Sequence, residues 1–122
     1  DVIFTGRLTP DQLNDLLGAA WAMTFVPYFE GFGIPILEAM TCDIPVIASK
    51  VTSLPEIAGD AALFASPDSP GSIRDGMIRI VREEGLRDEL IKKGRERREL
   101  FCWDHTSEKL WESVQQVLDA HA

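Results

Sequence analysis

Apolar positions along this chain keep two rhythms. In the first half they form short runs closed off by turn residues: Val2-Ile3-Phe4 before Thr5-Gly6, Met23 to Val26 before Pro27, Pro45 to Ala48, and Ala62 to Phe64. Runs of that length, ended by glycine or proline, read as buried strands. Between them the apolar residues recur at helical spacing. Thr9-Pro10-Asp11-Gln12 opens a helix, since Thr9 can cap, Pro10 fits the first helical position and Gln12 can close a capping box. Leu13, Leu16, Leu17 and Ala20 give that helix one apolar stripe. A second helix is expected from about Ile34 to Met40, with Pro35 in its first turn. After Pro67 only the helical rhythm remains. Ser69-Pro70 starts a helix carrying Ile73, Met77, Ile80 and Val81 on one face, and another runs from about Leu86 to Leu100. A last helix begins near Asp104 and carries Leu110, Val114, Val117 and Leu118.

Strands alternating with helices at this spacing point to βαβ units and a parallel sheet. The expected fold is therefore α/β: a βα core over residues 1–68 and a helical C-terminal tail over 69–122, with no internal repeat and no dividing linker. A chain of 122 residues, 45% of them hydrophobic, is enough for one compact domain with a core.

Charge narrows the partners. Twelve basic residues against twenty acidic ones, a net charge of −8, argue against a nucleic-acid surface, which needs clustered Lys and Arg. The one basic run, Lys92-Lys93-Gly94-Arg95-Glu96-Arg97-Arg98, is interleaved with Glu at helical spacing and reads as a solvated helix face. No apolar run approaches the roughly eighteen residues of a membrane span, and no signal peptide is visible. Cys42 and Cys102, without CxxC spacing or a histidine cluster, read as reduced thiols of a cytosolic protein, and no metal site is expected. The chain opens at Asp1 on a strand, with no initiator Met, so a fragment of a longer protein is expected.

The chemistry concentrates in PYFEGFGIPILEAM, residues 27 to 40. Glu30 and Glu38 stand eight positions apart, with Gly31-Phe32-Gly33 between them, after one strand and before a helix. In open parallel sheets, ligands sit at the carboxyl ends of the strands, where helix N-termini face the crevice. Gly31 and Gly33 would allow a tight turn, and the N–H groups of Phe32, Gly33 and Ile34 would favour a phosphate or diphosphate. The spacing is neither GxGxxG nor a Walker loop. Ionised carboxylates beside a phosphate make sense when they accept hydroxyl hydrogens, as from ribose and sugar. Besides a non-enzymatic nucleotide-binding module, two other readings stay open on the residues alone. One is a hydrolytic carboxylate pair. In the other, Glu30 merely favours a helix N-terminus and Glu38 is a surface residue.

The stretch YFEGFGIPILEAMTCDIPVIAS closely resembles the E-x7-E region of the retaining group 1 glycosyltransferases of GT-B fold. VIFTGRLTPDQLNDLLGAAWAMTFVP resembles the strand, helix and strand before that motif, VTSLPEIAGDAALFASPDSP the segment after it, and FCWDHTSEKLWESVQQVL the family's closing Trp-containing helix. The resemblance covers essentially the whole chain. It implies a Rossmann-like sheet belonging to the later part of the C-terminal, nucleotide-sugar-binding half of that fold. It also implies transfer of a hexosyl unit from a nucleotide sugar, such as GDP-mannose or a UDP-sugar, to a glycan or lipid-linked acceptor. Anomeric configuration would be retained, with no cofactor and no bound metal. Glu30 matches the motif glutamate that contacts the transferred sugar close to the reaction centre, and Glu38 the one that holds the ribose hydroxyls. Gly31, Phe32, Gly33 and Ile34 fall where amides meet the diphosphate and sugar. Gly6, Arg7 and Leu8 fall where the nucleobase packs.

The same resemblance implies what is missing. The basic pair that neutralises the diphosphate lies upstream in the family, and Thr5-Gly6-Arg7-Leu8 is followed by no Lys within ten positions. The N-terminal acceptor-binding domain is absent, so the chain alone is expected to be inactive in transfer and to bind nucleotide weakly. The resemblance implies a cytoplasmic enzyme, peripheral at the inner membrane surface through the missing domain. His105 and His121 are read as structural, Trp103 as a core packing residue, and Trp21 and Trp111 carry no functional claim. The Ser53–Glu56 stretch after the third strand is read as a loop near the sheet's carboxyl edge.

Overall fold

A computed structural model describes residues 2–120 of the chain. Three parallel strands, β1 (Met23–Phe25), β2 (Val46–Ser49) and β3 (Ala62–Ala65), form a sheet in sequence order. The register sets Met23 beside Val46 and Ala62, and Phe25 beside Ala48 and Phe64. Helix α1 (Pro10–Ala19) precedes β1, α2 (Ile34–Thr41) joins β1 to β2, and the short α3 (Leu54–Ala58) joins β2 to β3. The helices α4 (Pro70–Arg82), α5 (Leu86–Arg98) and α6 (Trp103–Ala120) follow.

Strand side chains alternate between two faces, and the core is accordingly split. Met23, Phe25, Val46, Ala48, Ala62 and Phe64 pack with Ile36, Met40, Leu54 and Ile57 of α2 and α3. Ile47, Leu63 and Ala65 pack on the other face with Ile73, Ile80, Leu86 and Leu90 of α4 and α5. Both faces of β2 are covered, and all four of its residues are buried, as expected of a continuous apolar run in a parallel sheet.

Helix α5 belongs to both layers. Leu86 and Leu90 join the second cluster, while a Cβ on buried Gly94 would lie 3.1 Å from Met40 Cγ in the first. Between these contacts α5 passes the amino ends of all three strands. Arg87 donates to the Trp21 carbonyl at 3.3 Å, Arg95 to the Asp43 carboxylate at 2.8 and 2.7 Å, and Lys93 pairs with Asp60 at 3.2 Å. Arg97 donates to the carbonyls of Ile57 and Glu56, and Arg98 to those of Met40 and Thr41. The basic run is thus not a merely solvated face: three of its arginines fasten the carboxyl ends of α2 and α3 and the turn at Asp43.

The structure departs from the sequence reading elsewhere too. Val2, Ile3 and Phe4 form no strand and are 82%, 84% and 94% exposed. A strand buried on both faces needs a hydrogen-bonded neighbour and covering helices, and among the described residues this segment gains neither. Residues 54–58 form a helix rather than a loop, because Pro55 sits in its first turn, where a missing N–H does no harm. Trp103 is 87% exposed rather than packed, and no residue of α6 is buried. On α1 only Leu17 is buried, and on α4 Met77 and Val81 stay exposed while Ile80 is enclosed. The Thr9–Gln12 capping box forms as read. Both cysteines are free thiols, and His121 lies outside the described residues.

Candidate functional site

The Glu30–Ile34 turn lies at the carboxyl end of the sheet, between β1 and α2. Gly33 is the residue that shapes it. It caps α2 at φ +114°, ψ 34°, and a Cβ there would lie 2.9 Å from Leu54 Cδ2 and 3.7 Å from Ile57 Cβ. Backbone dihedral and close approach to α3 therefore both demand glycine. Gly31 is different: it has no positive φ, and a Cβ there would meet open space.

Capped by a glycine, α2 has no side chain on its first amides. Pro35 brings no N–H, and Ile36 N–H turns back to the Gly33 carbonyl at 3.0 Å. Phe32 N–H donates to Glu30 Oε1 at 3.3 Å, so the turn's own carboxylate already occupies one of the three amides expected to be open. Among the described residues no partner is recorded for the N–H groups of Gly33 and Ile34. An amide pair at a helix N-terminus favours an anion through its donors and the helix dipole. Glu30 keeps its second carboxylate oxygen for other donors. Glu38 is exposed and shares the outer side of α2 with Ile34 and Thr41, one turn behind the open end.

A second loop holds the turn from behind. β1–β2 pairing ends at Phe25 and Ala48, and hydroxyl groups take over beyond it. Fully buried Ser49 donates to the Pro27 carbonyl at 2.7 Å. Thr52 Oγ1 accepts from Glu30 N–H at 3.2 Å and donates to the Glu30 carbonyl at 2.8 Å. Ser53 Oγ donates to that same carbonyl at 2.9 Å. The sequence reading placed Ser53–Glu56 near this edge but missed the hydroxyl pattern of residues 49, 52 and 53. On the far side Phe32 meets Phe101 edge to face, ring centres 6.2 Å apart. The two rings line a groove of ≈ 560 Å³ with Ile34, Leu37, Trp103 and Lys109.

Gly6, Arg7 and Leu8 are not gathered with the turn. They lie in irregular chain before α1, and among the described residues no hydrogen bond or ion pair ties them to residues 30–34. Groups with displaced proton affinity sit at the opposite end of the sheet. Hydrogen bonding from Arg95 holds the Asp43 carboxyl below the usual carboxylate range, and Asp43 in turn raises Arg95. Hydrogen bonds to Glu89 and then Asp60 raise Lys93. Among the described residues no group of three or more His, Cys, Asp or Glu side chains is arranged to hold a metal ion.

The profile of the family described as glycosyl transferases group 1 matches residues 1–97. The chain belongs to that family. It is 35% identical over 102 residues to the O-antigen chain mannosyltransferase B of Escherichia coli, covering 84% of this chain and 27% of that protein. It is 33% identical over 119 residues to the serotype-specific mannosyltransferase WbdA of the same organism, covering 98% of this chain and 15% of that one. Among solved structures, the sucrose-phosphate synthase of Thermosynechococcus elongatus superposes with a TM-score of 0.81 at 29% identity, over 97% of this chain and 30% of that one. The α/β, GT-B-type fold expected of this group 1 glycosyltransferase chain is the one observed. The chain spans less than a third of the length of each of these relatives.

Proposed function

We propose that this chain is the donor-binding part of a hexosyl-transferring enzyme that takes a sugar from a nucleotide sugar, GDP-mannose or a UDP-sugar, to a glycan or lipid-linked acceptor. One observation carries the reading: the Gly33 cap leaves the Gly33 and Ile34 amides without a hydrogen-bond partner among the described residues at the start of α2, with Glu30 in the turn just before them and Glu38 exposed one turn into the helix. The amides and the helix dipole would hold the diphosphate and stabilise it as it leaves, without a metal. Glu38 would take the ribose hydroxyls, and the free oxygen of Glu30 those of the transferred sugar. Gly31, with open space beside it, leaves room for that sugar, and Phe32 walls the site. Gly6, Arg7 and Leu8 are assigned to the nucleobase on the resemblance alone. Mannosyltransferase relatives support the sugar class, and retention of configuration follows from the E-x7-E resemblance.

The acceptor would be read by a preceding domain of the longer protein, which would also place the enzyme at the cytoplasmic membrane surface; among the described residues no helix is long and apolar enough to cross a membrane. Titration of the chain with UDP, GDP, ADP and their sugars tests the assignment. Glu38→Ala is expected to weaken every nucleoside diphosphate by about tenfold, as loss of charge-assisted hydrogen bonds predicts. Glu30→Ala is expected to weaken only the sugar nucleotides. Unchanged diphosphate binding in Glu38→Ala would overturn the ribose assignment, and measurable sugar transfer by the 122-residue chain alone would overturn its incompleteness.

A further inference from the structure

We propose that Thr52 and Ser53 are positioning residues of the donor site: their hydroxyls fix the Glu30 backbone, and through it the carboxylate and amides that meet the sugar and diphosphate. The inference rests on the donor reading above and deepens it.

Three observations converge on these two side chains. First, one backbone unit, that of Glu30, has both its N–H and its carbonyl engaged by the Thr52 hydroxyl, and its carbonyl engaged again by Ser53. These contacts span 22 and 23 residues of sequence, so they join two independent loops. Second, Thr52 stands at φ +47°. A β-branched residue in the left-handed region is strained, and Thr52 is exposed, so core packing does not explain why it sits there. Third, Ser53 is the N-cap of α3 yet makes no cap hydrogen bond. A serine at that position ordinarily accepts from its own helix, whereas here the hydroxyl is turned outward to Glu30. Both residues forgo the locally favoured arrangement, and both do so to hold the same peptide unit.

The geometry explains the need. β1–β2 pairing ends at Phe25 and Ala48, and Pro27 cannot donate. Without the hydroxyls nothing else recorded among the described residues ties the Glu30 peptide to the rigid sheet. A carboxylate that must meet a sugar hydroxyl, with its other oxygen on Phe32 N–H, needs its main chain held to within a fraction of an ångström.

The test uses the isotope-labelled chain, with GDP-mannose, UDP-glucose, GDP and UDP as ligands followed by NMR. Thr52→Gly removes the hydroxyl while accepting φ +47° freely, so strain relief offsets the lost hydrogen bonds and glycine's added unfolded-chain entropy, and the chain is expected to stay folded with a melting temperature within a few degrees of the wild type. Its Glu30 amide should nonetheless exchange faster, and its affinity for the sugar nucleotide should fall roughly three- to tenfold, the scale of one or two hydrogen bonds. Affinity for the bare diphosphate should change less. Thr52→Ser keeps a hydroxyl and should restore both properties, and Ser53→Ala should act as Thr52→Gly does, more weakly. Wild-type sugar-nucleotide affinity in a folded Thr52→Gly chain whose Glu30 amide exchanges faster would overturn the positioning role. Absence of any binding by the wild type, or unchanged binding in Glu30→Ala and Glu38→Ala, would instead sink the donor reading itself, and the positioning role with it.

Discussion

Replacing Gly33 with alanine puts a single methyl group where two constraints meet. At φ +114° a non-glycine backbone is disfavoured by about 1–2 kcal/mol. The added Cβ would also sit 2.9 Å from Leu54 Cδ2, a side chain with no exposed surface, and overpacking of that kind costs about 1–3 kcal/mol. Together the substitution should destabilise the fold by about 2–5 kcal/mol, a large share of the ~5–15 kcal/mol that holds a domain. For a chain of this size that lowers the melting temperature by about 8–20 °C. Urea unfolding followed by far-UV circular dichroism measures the change, and an unaltered m-value keeps it a statement about stability. The clash can be isolated from the dihedral penalty with Leu54→Ala, which alone should cost about 2–5 kcal/mol. Because that substitution removes the atom the new methyl would strike, the double variant should be more stable than the sum predicts by about 1 kcal/mol or more. Additive effects within about 0.5 kcal/mol would refute the close approach. A Gly33→Ala variant as stable as the wild type would refute the whole account of this turn.

Two further outcomes follow from the ends of the molecule. Asp43 has its carboxyl pKa lowered by Arg95, so its contribution is complete above the unfolded value near 3.8 and is lost as pH falls through the lower folded value. The stability difference between wild type and Asp43→Asn should therefore be small but measurable at pH 7, should shrink in high salt, and should vanish in strong acid; a difference that grew on acidification would contradict the pairing. Truncation after Cys102 removes α6, none of whose residues is buried. The shortened chain should unfold at the same temperature as the full one by circular dichroism, and a drop of more than a few degrees would show that α6 contributes packing.

The helix starts were legible because each carries its own local chemistry: Thr9 with Gln12, Ser69 before Pro70, Gly33 before Ile34 and Pro35. The sheet was legible where a run is covered on both faces, as at Val46–Ser49. It was misread at Val2–Phe4, since an apolar triplet declares a preference for burial but not the presence of a neighbour. Trp103 was read as core from the resemblance of its helix, and among the described residues nothing covers it: it is 87% exposed. At the site, Glu30, Gly33 and Glu38 could be singled out because motif spacing carries them. The Thr52 and Ser53 hydroxyls could not, because short polar side chains carry no periodic signal, and their partners lie 22 and 23 positions away. The basic run on α5 was read by its charge, whereas its role depends on which carbonyls the guanidinium groups reach.

The crossing of α5 below the strands makes the two ends of the sheet dynamically unequal. Arg87, Lys93, Arg95, Arg97 and Arg98 tie segments next to β1, β2 and β3 to one helix, so opening at that end is expected to require breaking several of these contacts together. At the carboxyl end the restraints described are a few hydroxyl bonds. Hydrogen exchange should then rise along each strand from its amino to its carboxyl end, and local opening would begin at the turn beside Glu30. On that expectation the molecule would act as a clamp closed at its base, with motion left to the rim where the proposed donor would enter and leave.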